Sequence, residues 1–247
     1  MSLFKDMKST GMEAATDRLG GFQAQETDIY QATIKNLYVT ESSKGAMAVT
    51  LIADLGGDKE YRETFYISSG REKGQKNYYE KNGKKYPLPG FTVVNDLCLI
   101  ATEKELCELE PEEKVVKIYD PEAKEEVNKS VPVITEALGK KVALGILKQL
   151  ENKNEKDAND NYVATAETKE TNVVDKVFHP DLKVTVSEAR KGEEATFWDA
   201  WLKRNQGQTR DRREIKDGES APKGKPGTPP KAGGAAAAPR KSLFGGK

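Results

Sequence analysis

Three strand-like segments follow one another near the start of the chain, and only short turns separate them. Residues 28–40, 46–55 and 60–68 are rich in β-branched and aromatic side chains. Their connections contain Ser-Ser-Lys-Gly and Gly-Gly-Asp, which favour tight turns between antiparallel strands. The sequence therefore predicts a three-stranded antiparallel meander.

The third segment also indicates which of its side chains face solvent. Its odd positions 61–67 carry Tyr, Glu, Phe and Ile, whereas the even positions carry Arg, Thr, Tyr and Ser. Because side chains alternate between the two faces of a strand, one face is largely apolar and the other polar. Tyr66 is expected to be an aromatic ring on the solvated face.

Further elements are predicted from hydrophobic spacing. Thr92 is expected to cap a short helix over residues 93–101, and residues 114–119 and 142–150 favour strands, although the period of the latter also fits a helix. Within residues 193–205, Phe197 and Trp201 lie four positions apart, and so do Trp198 and Leu202. This spacing is typical of an amphipathic helix.

The amino-acid composition limits the classes of protein to which the chain can belong. Only 36% of the 247 residues are hydrophobic, 32% are charged, and the mean hydropathy is −0.73, which favours one globular domain with disordered ends. No apolar run approaches the roughly 18 residues of a membrane span, and no signal peptide is evident, so we expect a cytosolic protein. Cys98 and Cys107 are expected to be reduced, packed thiols, although a disulfide between them stays open.

The formal net charge of zero conceals two blocks of opposite sign. Residues 70–86 hold six basic and two acidic side chains, whereas residues 103–126 hold ten acidic side chains and four lysines. The first block suits a polyanion and the second would repel it. We interpret the acidic block as a solubilising loop, with docking of a partner or mimicry of DNA as the alternative.

Catalysis finds little support among the residue types. His179 is the single histidine, and neither a nucleophile elbow nor a phosphate-binding glycine loop is present. Carboxylate pairs such as Asp157 and Asp160 leave a metal-dependent nuclease as an alternative, and the two cysteines lack the spacing of a zinc site. We therefore predict a protein that is not an enzyme and has no cofactor, metal or small-molecule substrate.

The stretch from residue 70 to residue 91 interleaves aromatic rings with lysines and arginine. Rings stack on nucleobases of any identity, and cations neutralise phosphates, so this combination is typical of single-strand binding. The alternative is that the tyrosines only pin a solvated hairpin to the core. We predict a single-stranded DNA interface made of Tyr66, Arg71, Lys73, Lys76, Tyr78, Tyr79, Lys81, Lys84, Lys85 and Tyr86.

A second basic cluster follows the Trp-containing helix. It could extend the electrostatic track, but cations at a helix end also interact favourably with the last carbonyl groups. The cluster comprises Lys203, Arg204, Arg210, Arg212 and Arg213.

The chain resembles the single-stranded DNA-binding proteins encoded by tailed bacteriophages over roughly residues 19–213. The resemblance rests on LGGFQAQETDIYQATIKNLYV, YYEKNGKKYPLPGFTVVNDLCLIAT, VPVITEALGKKVALGILKQLENK, TNVVDKVFHP and the Trp helix ending NQGQTRDR. It implies a mainly β chain with an OB-fold, a five-stranded Greek-key barrel with elaborated loops and short helices. It also implies coating and protection of single strands in phage replication, recombination and repair, in the cytoplasm of the infected host.

Four regions follow from these patterns. Residues 1–20 form a flexible arm, residues 21–190 the OB-fold domain, residues 191–215 an amphipathic helix with a basic segment that packs on the domain, and residues 216–247 a disordered tail. Many replication proteins of this type end in an acidic tail, whereas this tail is basic, and Phe244 is its candidate partner anchor. Expected partners are a polymerase, helicase or primase of phage or host, or the host RNA polymerase. An RNA-binding or transcription-regulating module and a protein-interaction scaffold remain alternative functions.

Overall fold

The computed structural model describes residues 24–57, 59–120, 123–157 and 162–215. The strands are β1 (Asp28–Glu41), β2 (Met47–Asp54), β3 (Glu60–Tyr66), β4 (Tyr78–Lys81), β5 (Lys84–Pro87), β6 (Glu112–Asp120), β7 (Glu125–Val133), β8 (Lys141–Lys156), β9 (Tyr162–Phe178) and β10 (Thr209–Asp211). The helices are α1 (Pro89–Thr102), α2 (Val186–Lys191) and α3 (Phe197–Asn205), with 3-10 turns at Arg71–Lys73, Leu106–Glu108 and Thr135–Ala137. The predicted N-terminal arm (1–20) and tail (216–247), with Phe244, lie outside the described residues.

The predicted meander is confirmed. Strands β1, β2 and β3 pair consecutively and antiparallel, with Leu37 opposite Leu51 and Val49 opposite Phe65. These four side chains are buried in the main core, while Tyr66 is 58% exposed, as the alternation of the third segment predicts. The inner face of the meander is thus apolar, and Tyr66 lies on its outer face.

The second half of the sheet is built around β8 and β9. Strand β8 pairs antiparallel with the first half of β1 and with β9, and its Lys148–Leu150 portion pairs in parallel with β10. Strand β7 joins the sheet through one pairing, Tyr38 with Val133. The strand predicted over 142–150 is confirmed and extends to Lys156. The chain is mainly β, with one eight-stranded, largely antiparallel sheet and the separate β4–β5 pair.

The backbone ladders of the described strands do not close into a barrel. Strands β3 and β9 share no ladder, but one side chain joins them. The carboxylate of Glu63 on β3 accepts a hydrogen bond from the Val174 amide on β9 at 2.8 Å and one from the Tyr61 hydroxyl at 2.6 Å. We call this junction the β3–β9 seam.

Helix α1 begins earlier than the sequence prediction. Pro89 occupies the first helical turn, where its fixed φ is favourable and its missing N–H is not needed. Thr92 therefore lies inside the helix, and its hydroxyl donates to the Leu88 carbonyl at 3.2 Å instead of capping. The helix buries Val94, Leu97 and other apolar residues against the sheet.

Most of the acidic block is structured, which corrects its interpretation as a loop. Strands β6 and β7 form an antiparallel hairpin. Val116 and Val131 of this hairpin pack against Tyr38 and Ile52 in a second core cluster. The apolar positions between the acidic ones thus cover part of the outer face of the meander.

Neither cysteine forms a disulfide, and Cys107 is exposed rather than packed.

Helix α3 packs on the β8–β9 pair. Trp198 and Trp201 are buried in a third cluster with Phe178 and Leu147. Gly145 of β8 makes this contact close, because a Cβ there would lie 3.2 Å from the Trp201 ring. The amphipathic helix predicted over 193–205 is confirmed from Phe197 onward.

Candidate nucleic-acid interface

The predicted interface occupies the connection between β3 and α1. Tyr66 ends β3, Arg71 and Lys73 lie in a 3-10 turn, and Lys76 precedes a two-stranded hairpin. Strands β4 and β5 of this hairpin carry the other predicted residues, which are Tyr78, Tyr79, Lys81, Lys84, Lys85 and Tyr86. The structure therefore brings the predicted residues into one contiguous segment, and six of the ten lie on the β4–β5 hairpin.

The turn of this hairpin has a local cause in the sequence. Asn82 and Gly83 connect the strands with φ values of 52° and 70°. Asn-Gly is the pair that best tolerates two consecutive positive φ values, which a two-residue hairpin turn requires. This dipeptide is the signal that sequence reasoning passed over.

The hairpin register sorts the side chains onto two faces. Tyr79 lies opposite Tyr86, and their rings stack with centroids 5.6 Å apart and planes inclined by 24°. Tyr78 belongs to the other face, where the ammonium groups of Lys85 and Lys76 lie 4.6 Å and 5.6 Å from its ring centroid. One face thus presents a stacked ring pair, and the other a ring beside two cations.

The base of the hairpin is fixed to the β1–β2 turn. The Arg71 amide donates to the Lys44 carbonyl at 2.9 Å, and the Gln75 side chain donates to the Gly45 carbonyl at 2.8 Å. The Arg71 guanidinium also pairs with the Glu41 carboxylate at the end of β1. The basic segment is therefore placed on the rigid end of the meander.

The end of β3, where Tyr66 lies, packs closely against the first turn of helix α1. Gly90, in the first turn of α1, lies so close to β3 that a Cβ there would be 2.4 Å from the Tyr66 carbonyl oxygen. This contact holds the end of β3 beside the start of the helix, and the Tyr66 ring stays largely exposed.

We expect Gly90→Ala to destabilise the domain by about 1 to 3 kcal/mol, because the added methyl group overlaps backbone atoms that cannot move freely. Urea denaturation of the two proteins measures this difference. An unchanged free energy of unfolding would show that the helix can shift without cost.

The charge of the interface is strongly positive. Its six cations, Arg71, Lys73, Lys76, Lys81, Lys84 and Lys85, are all exposed. Arg71 is the member whose charge a salt bridge offsets, through Glu41. The lysines can approach phosphate groups without first breaking a buried contact, and they supply counterion release on binding.

The second basic cluster lies elsewhere in the fold. Its residues lie at the end of α3, on strand β10 and directly after β10. The side-chain amide of Gln206, which follows α3, donates a hydrogen bond to the Asp28 carboxylate at 3.2 Å. Arg210 and Arg213 pair with Asp175 and Asp211. The structure thus does not join this cluster to the β4–β5 hairpin.

His179 has a local structural contact. Its Nδ1 accepts hydrogen bonds from the Asp181 and Leu182 amides at 3.3 Å and 3.1 Å, and burial lowers the pKa of its imidazole. Among the described residues, no group of three or more His, Cys, Asp or Glu side chains is arranged to hold a metal ion. No helix in the described ranges is long and apolar enough to cross a membrane.

Comparisons of the chain with protein-family models, with curated proteins and with solved structures found no match.

Proposed function

We propose that this protein binds single-stranded DNA without strong sequence preference and that the β4–β5 hairpin is its principal contact. The observation that carries the proposal is the placement of three tyrosines among lysines on one exposed hairpin. Tyr79 and Tyr86 form a stacked pair, and Tyr78 lies beside Lys85 and Lys76.

The rings supply the base contacts in this mechanism. A nucleobase adds to the Tyr79–Tyr86 stack or covers the Tyr78 ring, and each such contact contributes about 1 to 3 kcal/mol whatever the base. Double-stranded DNA cannot use these contacts because its bases are already stacked and paired. Preference for the single strand follows from this difference.

The lysines supply the phosphate contacts. Lys81 and Lys84 share the face of the stacked tyrosines, whereas Lys85 lies on the opposite face. Each face of the hairpin therefore presents a cation beside its aromatic ring, which can contact a phosphate next to the stacked base. Because these contacts release counterions, the affinity falls as salt rises.

The β1–β2–β3 meander followed by α1 and the β8–β9 pair supports an OB-fold as the architecture, with the β3–β9 seam in the place of barrel closure. On this proposal the β4–β5 and β6–β7 hairpins elaborate the basic fold. The resemblance to phage single-stranded DNA-binding proteins supports a role in coating single strands during phage replication, recombination and repair in the host cytoplasm. Replication proteins of phage or host are the proposed partners, with Phe244 as a candidate anchor.

The proposal is tested by fluorescence anisotropy with labelled oligo-dT and a matched duplex at about 50 and 200 mM salt. We expect tight binding to the single strand, weak binding to the duplex, and a steep loss of affinity at the higher salt. Equal binding to both, or none, would overturn the proposal. Competition with oligo-U identifies the case in which RNA is the natural ligand.

Replacing Lys81, Lys84 and Lys85 together by glutamine should reduce the slope of log K against log salt by about 2, since each phosphate contact contributes about 0.7 for single strands. The control replaces Lys117 on β6, Lys124 in the turn before β7 and Lys169 on β9, all of which are exposed. An unchanged slope in the hairpin variant would remove these lysines from the phosphate track.

A further inference from the structure

A half-open cavity that combines aromatic rings with arginines lies between β9, α3 and β10. Its volume is about 310 Å³. Phe197, Trp201 and Arg204 of α3 line it together with Asp175 of β9 and Arg210 of β10. Residues from three separate elements therefore converge on one space.

The cavity has a fixed floor and a positively charged rim. The Trp201 indole donates to the Asp175 carboxylate at 2.8 Å, and Arg210 approaches the same carboxylate at 3.9 Å, so the acidic group is already compensated. Within the described part of the chain, no acidic side chain pairs with Arg204. Phe197 is 39% exposed, and the Lys176 ammonium lies 5.8 Å from the centroid of its ring. Rings beside cations again suit a nucleotide.

The cavity and the β4–β5 hairpin lie near opposite ends of β1. Gln206, at the end of α3, contacts Asp28 at the first residue of β1, whereas Arg71 pairs with Glu41 at the last. Fourteen residues of strand span up to about 43 Å. A single strand of DNA could reach both places only if it were long enough.

We infer that this cavity is a second subsite for the same DNA strand. One nucleotide occupies it, with its base against Phe197 and its phosphate at the Arg204 guanidinium, while Arg210 offsets the charge of Asp175. The inference rests on the proposed function and extends it, because it makes the binding site longer than the hairpin. At the rise of about 3.4 Å per nucleotide found in duplex DNA, the span corresponds to roughly thirteen nucleotides, and to fewer in an extended strand.

The test compares oligo-dT of about 4 and about 20 nucleotides, since only the longer strand can reach both subsites. For Arg204→Ala with Arg210→Ala, we expect the affinity for the longer strand to fall at least about tenfold and its salt slope to fall by about 0.7, because Arg204 makes the phosphate contact, with the short strand unaffected. The matched control is Lys203→Ala with Arg212→Ala, which removes two exposed charges that do not line the cavity.

The single variant Arg204→Ala keeps the Arg210–Asp175 ion pair, so a loss of affinity in this variant does not result from breaking that pair. A Trp198→Phe background provides a second readout: the longer strand should change the fluorescence of Trp201, and the short strand should not. If the cavity variants lose no more affinity for the longer strand than the control, or if Trp201 does not respond, the second subsite is wrong and the proposed function survives. If the wild-type protein binds neither strand, both fail.

Discussion

Replacing Tyr78 and Tyr79 together by alanine is expected to weaken oligo-dT binding by about 2 to 6 kcal/mol, because two stacking contacts of about 1 to 3 kcal/mol each are removed. At the lower limit this is roughly a thirtyfold rise in Kd. The Tyr79 change also breaks the stack with Tyr86, so one face of the hairpin loses the Tyr78 ring and the other keeps Tyr86 without its stacking partner.

The fold should survive this double change. Tyr78 and Tyr79 are half-buried and belong to none of the three core clusters, and the β4–β5 pair is separate from the main sheet. The free energy of unfolding is expected to change by less than about 1 kcal/mol. Circular dichroism and urea denaturation check this before binding is measured.

A matched control is available among the exposed tyrosines. Tyr119 and Tyr162 are 51% and 71% exposed, and they lie on β6 and β9. Replacing these two by alanine removes the same side-chain chemistry away from the hairpin and should leave affinity near the wild-type value. Tyr78→Phe with Tyr79→Phe, which keeps both rings, should also retain most of it. If the alanine variant of the hairpin binds as well as either control, the tyrosines do not form the platform.

Strong local patterns made part of this fold predictable. In β3 the alternation of apolar and polar side chains matched the burial of Tyr61 and Phe65 and the exposure of Tyr66. In α3 the spacing of Trp and Leu matched the packing of one helix face. Such elements carry their own signal because one face is buried and the other is not.

Strand β9 shows where local patterns fail. Its middle, around Thr168 and Glu170, is polar and shows little alternation, so the sequence gives weak evidence for a strand there. The segment is extended because it pairs along its length with β8, from Ala143 to Lys156. Pairing between strands overrides weak local preference, and pairing is not visible in a single strand's composition.

The candidate interface was predictable in residue types but not in arrangement. The interleaving of rings and cations identified the segment, whereas the hairpin register decided that Tyr79 stacks on Tyr86 and that Tyr78 meets Lys85. The cavity at α3 depends on the approach of Asp175 to Arg210, which is distant in sequence. Contacts of this kind arise only when separate elements pack.

Glu63 is the residue at the β3–β9 seam whose ionisation is expected to make stability depend on pH. Burial raises the pKa of its carboxyl group to about 7, although the hydrogen bonds from Tyr61 and Val174 act in the opposite direction. The folded protein then binds a proton that the unfolded chain, with an ordinary glutamate, releases above about pH 4.5. Stability is therefore expected to fall as pH rises from about 4.5 to 7 and to level off above that.

Between about pH 5 and 8 the loss attributable to Glu63 should reach up to about 2.5 kcal/mol. Glu63→Gln keeps a carbonyl oxygen for the Tyr61 and Val174 donors but cannot ionise, so its stability profile should lack this component. Burial also raises the pKa of Asp96, to about 6, and the difference between the wild-type and Gln profiles removes that contribution. Urea denaturation across this pH range measures both profiles. Parallel profiles would show that the Glu63 carboxylate is not destabilised in the folded seam, whereas convergence at low pH with a deficit of the wild type at high pH would show that burial of its charge limits the stability of the junction between β3 and β9.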